Sequence, residues 1–284
     1  MTGFIAVLCN PDFPFIRNAL FAGLLSSVLF GLLGTMVTVR RIASLAGAIS
    51  HAVLGGIGMA LYLQATKLAP GFSPIAGAMV FAVLSAGIIG VVSLKAKQRE
   101  DTVINAIWAI GMSVGVLFMA KTPGATDPST YLFGNILLIS NQDLLLMAIL
   151  DVLVLILSWR FYPQLEATSF DEEFAQVRGV PTTAVFLVIL MISAVAIVLL
   201  QTFVGIVMVI AMLTLPAGTA ATYARSLAGM MLWSCLFAGL FSVSGLVLGW
   251  TFDAPVGAMT VIIAGIVFLG TALVRVLASR KLVG

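Results

Sequence analysis

The sequence predicts an all-α polytopic membrane protein with about nine transmembrane helices, N-terminus outside and C-terminus cytoplasmic. Three observations carry this. Hydrophobic residues are 61% of the 284 and charged residues only 9%, against roughly 25% charged in a soluble domain. The apolar residues gather into runs of about 20, the length of a helix that crosses the hydrocarbon core. The basic residues fall between the runs, mostly on alternate sides. With 10 Pro and 2 Cys the chain is neither collagen-like nor a disulfide scaffold.

Charged or Pro/Gly-rich breaks divide the runs. Phe15–Val39 ends at Arg40 and Arg41, and Ser44–Gln64 at Lys67, Pro70 and Gly71. Pro74–Leu94 precedes Lys95, Lys97 and Arg99, and Thr102–Ala120 lies between Glu100-Asp101 and Lys121. Asp127–Ser140 is also fairly apolar and reads either as a short re-entrant helix or as part of a span. Then come Gln142–Trp159, Thr182–Gln201, Val204–Tyr223, Gly229–Trp250 and Pro255–Leu277. Arg40, Arg41, Lys95, Lys97, Arg99, Arg160, Arg178, Arg225, Arg275, Arg280 and Lys281 then lie inside, and Arg17, Lys67 and Lys121 outside. That is the bias of the positive-inside rule, and an even number of spans would scramble it. Basic residues scattered singly between spans give no nucleic-acid surface. Residues 1–12 lack a basic n-region, so the first span reads as a structural helix and not as a cleaved signal.

No G-x-x-x-x-G-K-[ST], H-E-x-x-H, G-x-S-x-G or paired intramembrane Asp occurs in the sequence. Nucleotide hydrolysis by a P-loop and intramembrane proteolysis thus lack their residue sets. Transport, or scaffolding of a transporter, remains. Cys9 and Cys235 are assigned to distant positions, so a disulfide is not expected, and neither has the partner spacing of a metal site. Gly111-x-x-x-Gly115 and Gly245-x-x-x-Gly249 each set two glycines on one helix face, the spacing of close packing in lipid. Pro216 inside the seventh span should kink it, either to line a path or to fit the bundle.

Two ionisable residues fall at membrane depth, where their cost suggests a function. His51 lies about 10 Å from the cytoplasmic end of the second span, and Asp151 about 12 Å from that of the fifth. Gly47, His51 and Gly55 follow at i, i+4 and i+8, with Gly58 three residues on, so one imidazole sits in a stripe without side chains. The stripe leaves room for an ion or for another helix. Neutral imidazole is a good zinc, iron, nickel or copper ligand, yet one histidine is not a site by itself, and hydrogen bonding to a neighbouring helix is the alternative.

Eight segments, in order, carry a family resemblance. They are Val39-Arg40-Arg41-Ile42-Ala43-Ser44-Leu45 with Ile49–Gly56, Arg99-Glu100-Asp101, Tyr131-Leu132-Phe133-Gly134-Asn135 with Asp143, Phe170–Ala175 with Gly179-Val180, Val204–Leu213, Pro216–Ala220, and Asp253-Ala254-Pro255-Val256-Gly257. On these the chain, from about residue 20 to 275, resembles the membrane permease subunit of the ATP-binding-cassette importers for zinc, manganese and iron. The resemblance implies a single transmembrane permease domain, 1–284, in a multi-pass bacterial plasma (inner) membrane protein. It implies a cytoplasmic ATP-binding subunit, an extracytoplasmic metal-binding protein and a second permease chain, identical or different. It implies no catalysis and no resident cofactor, only transient contact with the transported divalent ion, zinc being expected on the histidine.

By the same resemblance, the inside loop at about 160–181 is the coupling segment, with Phe170, Asp171, Glu172, Glu173, Phe174, Ala175 and Gly179 meeting the ATPase. Ser169 followed by Glu172 reads as a capping box that starts its one short helix. Tyr131, Phe133, Gly134 and Asn135 would shape the outer mouth. Metal-importing members carry an Asp one turn before the His, and here that position is Gly47. Asp151 supplying the carboxylate, a second chain carrying the pair, or an ion passing with transient contact would each account for the departure. A carrier for a metal chelate and an ion-coupled secondary carrier are the alternatives to a metal importer.

Overall fold

The computed structural model describes residues 8, 13–95, 100–124, 131–132, 134, 136 and 139–280. Among them there are helices and no strands, as expected where no water can satisfy an open backbone. The helices are α1 (Pro14–Val39), α2 (Ala43–Ala65), α3 (Pro74–Lys95), α4 (Glu100–Lys121), α5 (Asn141–Arg160), α6 (Tyr162–Phe170), α7 (Glu172–Val177), α8 (Thr182–Val204), α9 (Ile206–Ala220), α10 (Leu227–Phe252) and α11 (Val256–Arg280). Eight of these are long and apolar enough to cross a membrane. The seventh expected span is the short one. It is 15 residues as α9, about 22 Å of rise: Gly205 (φ 85°, ψ 158°) separates it from α8, and the turn at 221–223 ends it. Pro216 lies inside α9 without ending it.

The chain forms two compact units. The first gathers Met1–Val39, Asn135–Arg160 and Val207–Gly284, and the second Arg40–Gly134 and Phe161–Ile206. In the first, α1 packs along α10 and meets α5, and α10 packs on α11. The contacts rest on glycine. A Cβ added at Gly31 would strike Cys235, one at Gly34 the Leu213 backbone, and one at Gly245 Thr260. At one end of this unit Asn18 Nδ2 donates to Ile139 O and to Asn141 Oδ1, both at 3.2 Å. The start of α5 carries a reciprocal cap, in which Ser140 N–H donates to Asp143 Oδ2 (3.0 Å) and Asp143 N–H to Ser140 Oγ (3.3 Å). Asp253 takes the left-handed conformation (φ 50°) that turns α10 into α11.

In the second unit α2 is the hub, packed between α3 and α4 and also against α8. Gly56 meets the Gly77 backbone of α3, Gly58 meets Gly115 of α4, and Gly111 of α4 meets Ala52. The Gly111/Gly115 pair therefore serves bundle packing within the chain. Lipid supplies no hydrophobic drive between helices, so such backbone approach and its dispersion contacts take that place. α4 and α11 stay largely apolar and exposed, with Ile110, Ile266, Leu269 and Leu273 all at 60% or more, as faces made for lipid or another membrane chain would be.

Replacing Gly111 by Ile should cost at least about 1–3 kcal/mol of overpacking and lower the melting temperature of the detergent-purified protein. Gly87→Ala, where an added Cβ meets no atom within 4 Å, should leave it unchanged or raise it.

Candidate functional site

His51 stands on the hub helix, half-buried. Its ring stacks on Trp108 of α4, centroids 4.5 Å apart and planes 11° from parallel. The close α2–α4 approach at Gly55 and Gly58 brings that indole within reach. Nδ1 of His51 is buried and has no hydrogen-bond partner, although buried nitrogens ordinarily find one. The stripe around it divides in use. Gly55 faces Gly111 O and Phe81, and Gly58 faces Gly115 O, so both are filled by neighbouring helices. Gly47 is buried, yet a Cβ placed there meets nothing within 4 Å. Room therefore exists one turn before the imidazole and nowhere else along the stripe.

Asp151 belongs to the other unit. It is 4% exposed on α5, and neither carboxylate oxygen has a hydrogen-bond partner. An unpaired buried carboxylate is costly in lipid. Cys235, in the same unit, is a free thiol that approaches Val28 O at 3.8 Å. Among the described residues no three of His, Cys, Asp and Glu gather as a metal cluster.

At the other candidate region, the loop after α5 folds into two short helices instead of one. Asp171, not Ser169, is the N-cap of α7. Its carboxylate accepts from Phe174 N–H at 2.9 Å, while Ser169 Oγ turns back to donate to Leu165 O within α6. The extended φ and ψ of Asp171 (−151°, 103°) leave its side chain free to cap, whereas Ser169 is already helical. α7 ends in a Schellman motif. Val180 N–H donates to Ala175 O and Gly179 N–H to Gln176 O, both 3.0 Å, with Gly179 at φ 81°.

Ala175 and Leu165 point inward, and Phe170 (74% exposed), Phe174 (55%) and Val177 (86%) point out. Glu172 and Glu173 flank them. Arg178 lies over the Phe174 ring at 5.1 Å. The module is tied down by Arg40, whose side chain is 6% exposed and pairs with Glu172 at 3.2 Å.

Of the expected outer-mouth residues, Phe133 and Asn135 lie outside the described residues, as do Lys97, Arg99, Cys9 and Lys281. Tyr131 is half-buried in a helical turn, and burial pushes its phenol up, so it stays a neutral donor. Gly134 (φ 62°) lies against the backbone of Phe203, Val204 and Gly205, leaving no space for a Cβ. Two motifs 70 residues apart thus meet backbone to backbone at the α8–α9 break. Trp108 and Arg40 had no assigned role from sequence. An aromatic on a GxxxG-bearing helix, and a second Arg where one would mark the membrane face, were the available signals.

Eight membrane-length helices and a ninth, shorter apolar one define a polytopic helical membrane protein. The chain matches the ABC 3 transport family over residues 12–275 and belongs to it. It is 36% identical over 259 residues to an uncharacterized membrane protein of Synechocystis, covering 91% of this chain and 90% of that one. It is 31% identical over 259 residues to the manganese import system permease protein ScaB of Streptococcus gordonii, covering 91% and 90%. Its fold matches a chain of the solved PsaBC complex from Streptococcus pneumoniae with Fab, at TM-score 0.83 and 31% identity over 95% of this chain and 94% of the other. The protein is a multi-pass protein of the bacterial inner membrane.

Asp171→Ala should cost about 1 kcal/mol at the cap. Amide exchange in Glu172–Val177 should speed up while the long helices keep their protection.

Proposed function

We propose that this chain is the permease subunit of an ATP-driven importer for a divalent transition-metal ion. The observation that carries the reading is the α6–α7 module. Phe170, Phe174 and Val177 are exposed on the side where the basic residues place the cytoplasm, so they face water and not lipid. A rigidly capped apolar patch in water, edged by Glu172 and Glu173, suits a protein partner. The partner is a cytoplasmic ATPase, which supplies the energy that this chain has no residues to release.

An extracytoplasmic binding protein delivers the ion near Tyr131 and Gly134, and a second permease chain completes the path. His51 contacts the ion in transit, held flat by Trp108. The ion is handed on with few contacts per chain and is not held as a resident. Asp151, buried and unpaired, is the second candidate contact. As to the metal, imidazole favours zinc over manganese, whereas the Streptococcus gordonii relative is named for manganese.

Uptake of radioactive zinc and manganese, each competed by the other, tests the reading in cells that express this chain with its partner subunits. His51→Ala should lower uptake at limiting metal by about tenfold or more, since even outer-shell partners of a metal ligand are worth that much. Phe174→Asp should release the ATPase on purification. Uptake unchanged in both variants would sink the assignment. Gly47→Asp has room for its Cβ and places a carboxylate one turn before His51. It should tighten metal binding, read as a lower half-saturating metal concentration.

A further inference from the structure

Arg40 is a charged side chain engaged with three helices, and no role has been given to it above beyond anchoring the α6–α7 module. It sits between α1 and α2, three residues before α2 begins. Its guanidinium touches three successive elements of the same unit. Nη2 pairs with Glu172 of α7 at 3.2 Å. Nη1 donates to Thr168 O, near the end of α6, at 3.4 Å. Its Cζ lies 5.8 Å from the centre of the Phe186 ring on α8, and Phe186 is itself buried. The side chain is 6% exposed and that of Glu172 54%.

A solvated arginine marking the membrane face would need none of this. Surface ion pairs are worth little, but removing one partner of a buried charge leaves the other uncompensated. The neighbouring Arg41 shows the contrast. It is exposed and takes the left-handed conformation (φ 57°) that turns the chain out of α1 and into α2.

We infer that Arg40 is a positioning residue that couples the docking module to the histidine helix. It ties α6 and α7, where the ATPase docks, to the start of α2, which bears His51 eight residues on. A displacement of α7 pulls on Glu172 and hence on Arg40. Since α2 is packed backbone to backbone on α3 and α4 through Gly56, Gly58 and Gly111, it responds as a body and not by local bending. The inference rests on the docking role proposed for α6–α7.

The test uses the permease purified with its ATPase subunit and reconstituted in proteoliposomes with the binding protein. Mn2+ and Zn2+ are assayed in parallel, and ATP hydrolysis and metal uptake are measured on the same vesicles. Arg40→Gln should keep the ATPase bound and hydrolysing, and Glu172→Gln is read against its own hydrolysis rate because that side chain also edges the docking patch. Metal moved per ATP should fall by roughly fivefold or more, the lower range of coupling between distinct sites. The reversed pair, Arg40→Glu with Glu172→Arg, should recover at least half of that ratio, while each reversal alone should not.

A ratio unchanged in both Gln variants overturns the link. So does uptake that falls in step with hydrolysis and melting temperature in Arg40→Gln while Glu172→Gln, altered at an exposed side chain, behaves as wild type. That pattern means Arg40 only holds the fold. If instead Phe174→Asp leaves the ATPase bound, the docking reading falls, and the coupling route falls with it. That result is separate from an unchanged ratio, which overturns the link alone.

Discussion

Close backbone contact between helices is the constraint from which the rest of this structure follows. Inside a bilayer, burying a leucine against another helix gains little over leaving it in lipid, so helices associate through dispersion and geometry. Here glycine supplies the geometry. Gly56 against Gly77, Gly58 against Gly115 and Gly111 against Ala52 seat α2 between α3 and α4. The same contacts fix where His51 points, because the approach at Gly55 and Gly58 sets Trp108 flat against its ring. A histidine on a loosely held helix would sample several rotamers. On this one it is held by its stacking partner, with Gly47 leaving open space one turn away.

The two regions read as functional differ in how they are built. The intramembrane residues are sparse and under-satisfied. Nδ1 of His51 and both carboxylate oxygens of Asp151 have no hydrogen-bond partner, which suits the transient ion contact proposed for them. The α6–α7 module is the opposite. Asp171 closes its N-terminus, a Schellman turn at Gly179 closes its C-terminus, and Arg40 anchors it from outside. What it leaves uncovered is apolar, namely the exposed Phe170, Phe174 and Val177. His51 and Asp151, each in its own unit, are left unsatisfied, and the α6–α7 module is closed at both ends, which suits the ion contacts and the docking surface proposed for them.

Departures from the sequence reading have local physical causes. Val204–Tyr223 reads as one span by hydropathy, which is blind to a single glycine. Gly205 adopts φ 85° and sets the start at Ile206, the turn at 221–223 sets the end at Ala220, and the segment becomes the 15-residue α9. Ser169 and Glu172 have capping-box spacing, but Ser169 is already inside a helix, so its hydroxyl bonds the preceding turn and Asp171 takes the cap. The stripe Gly47, His51, Gly55, Gly58 is legible as a pattern. Which of its gaps is filled is not, because that depends on what α3 and α4 bring opposite each glycine.

The sequence by itself determined what one-dimensional chemistry can specify. Scarce charge and 20-residue apolar runs required membrane helices, the basic residues oriented them, and eight ordered motifs identified the transport family. Each of these signals is a property of composition or of spacing along one helix. The tertiary structure alone decided which side chains meet across helices. It stacked Trp108 on His51, filled the space at Gly55 and Gly58 while leaving Gly47 open, pressed Gly134 onto the Gly205 break, and turned Arg40 from a topology marker into a clamp on Glu172, Thr168 and Phe186. Interhelical contacts in lipid depend on the rotation and depth of each helix against its neighbours, and hydropathy carries neither.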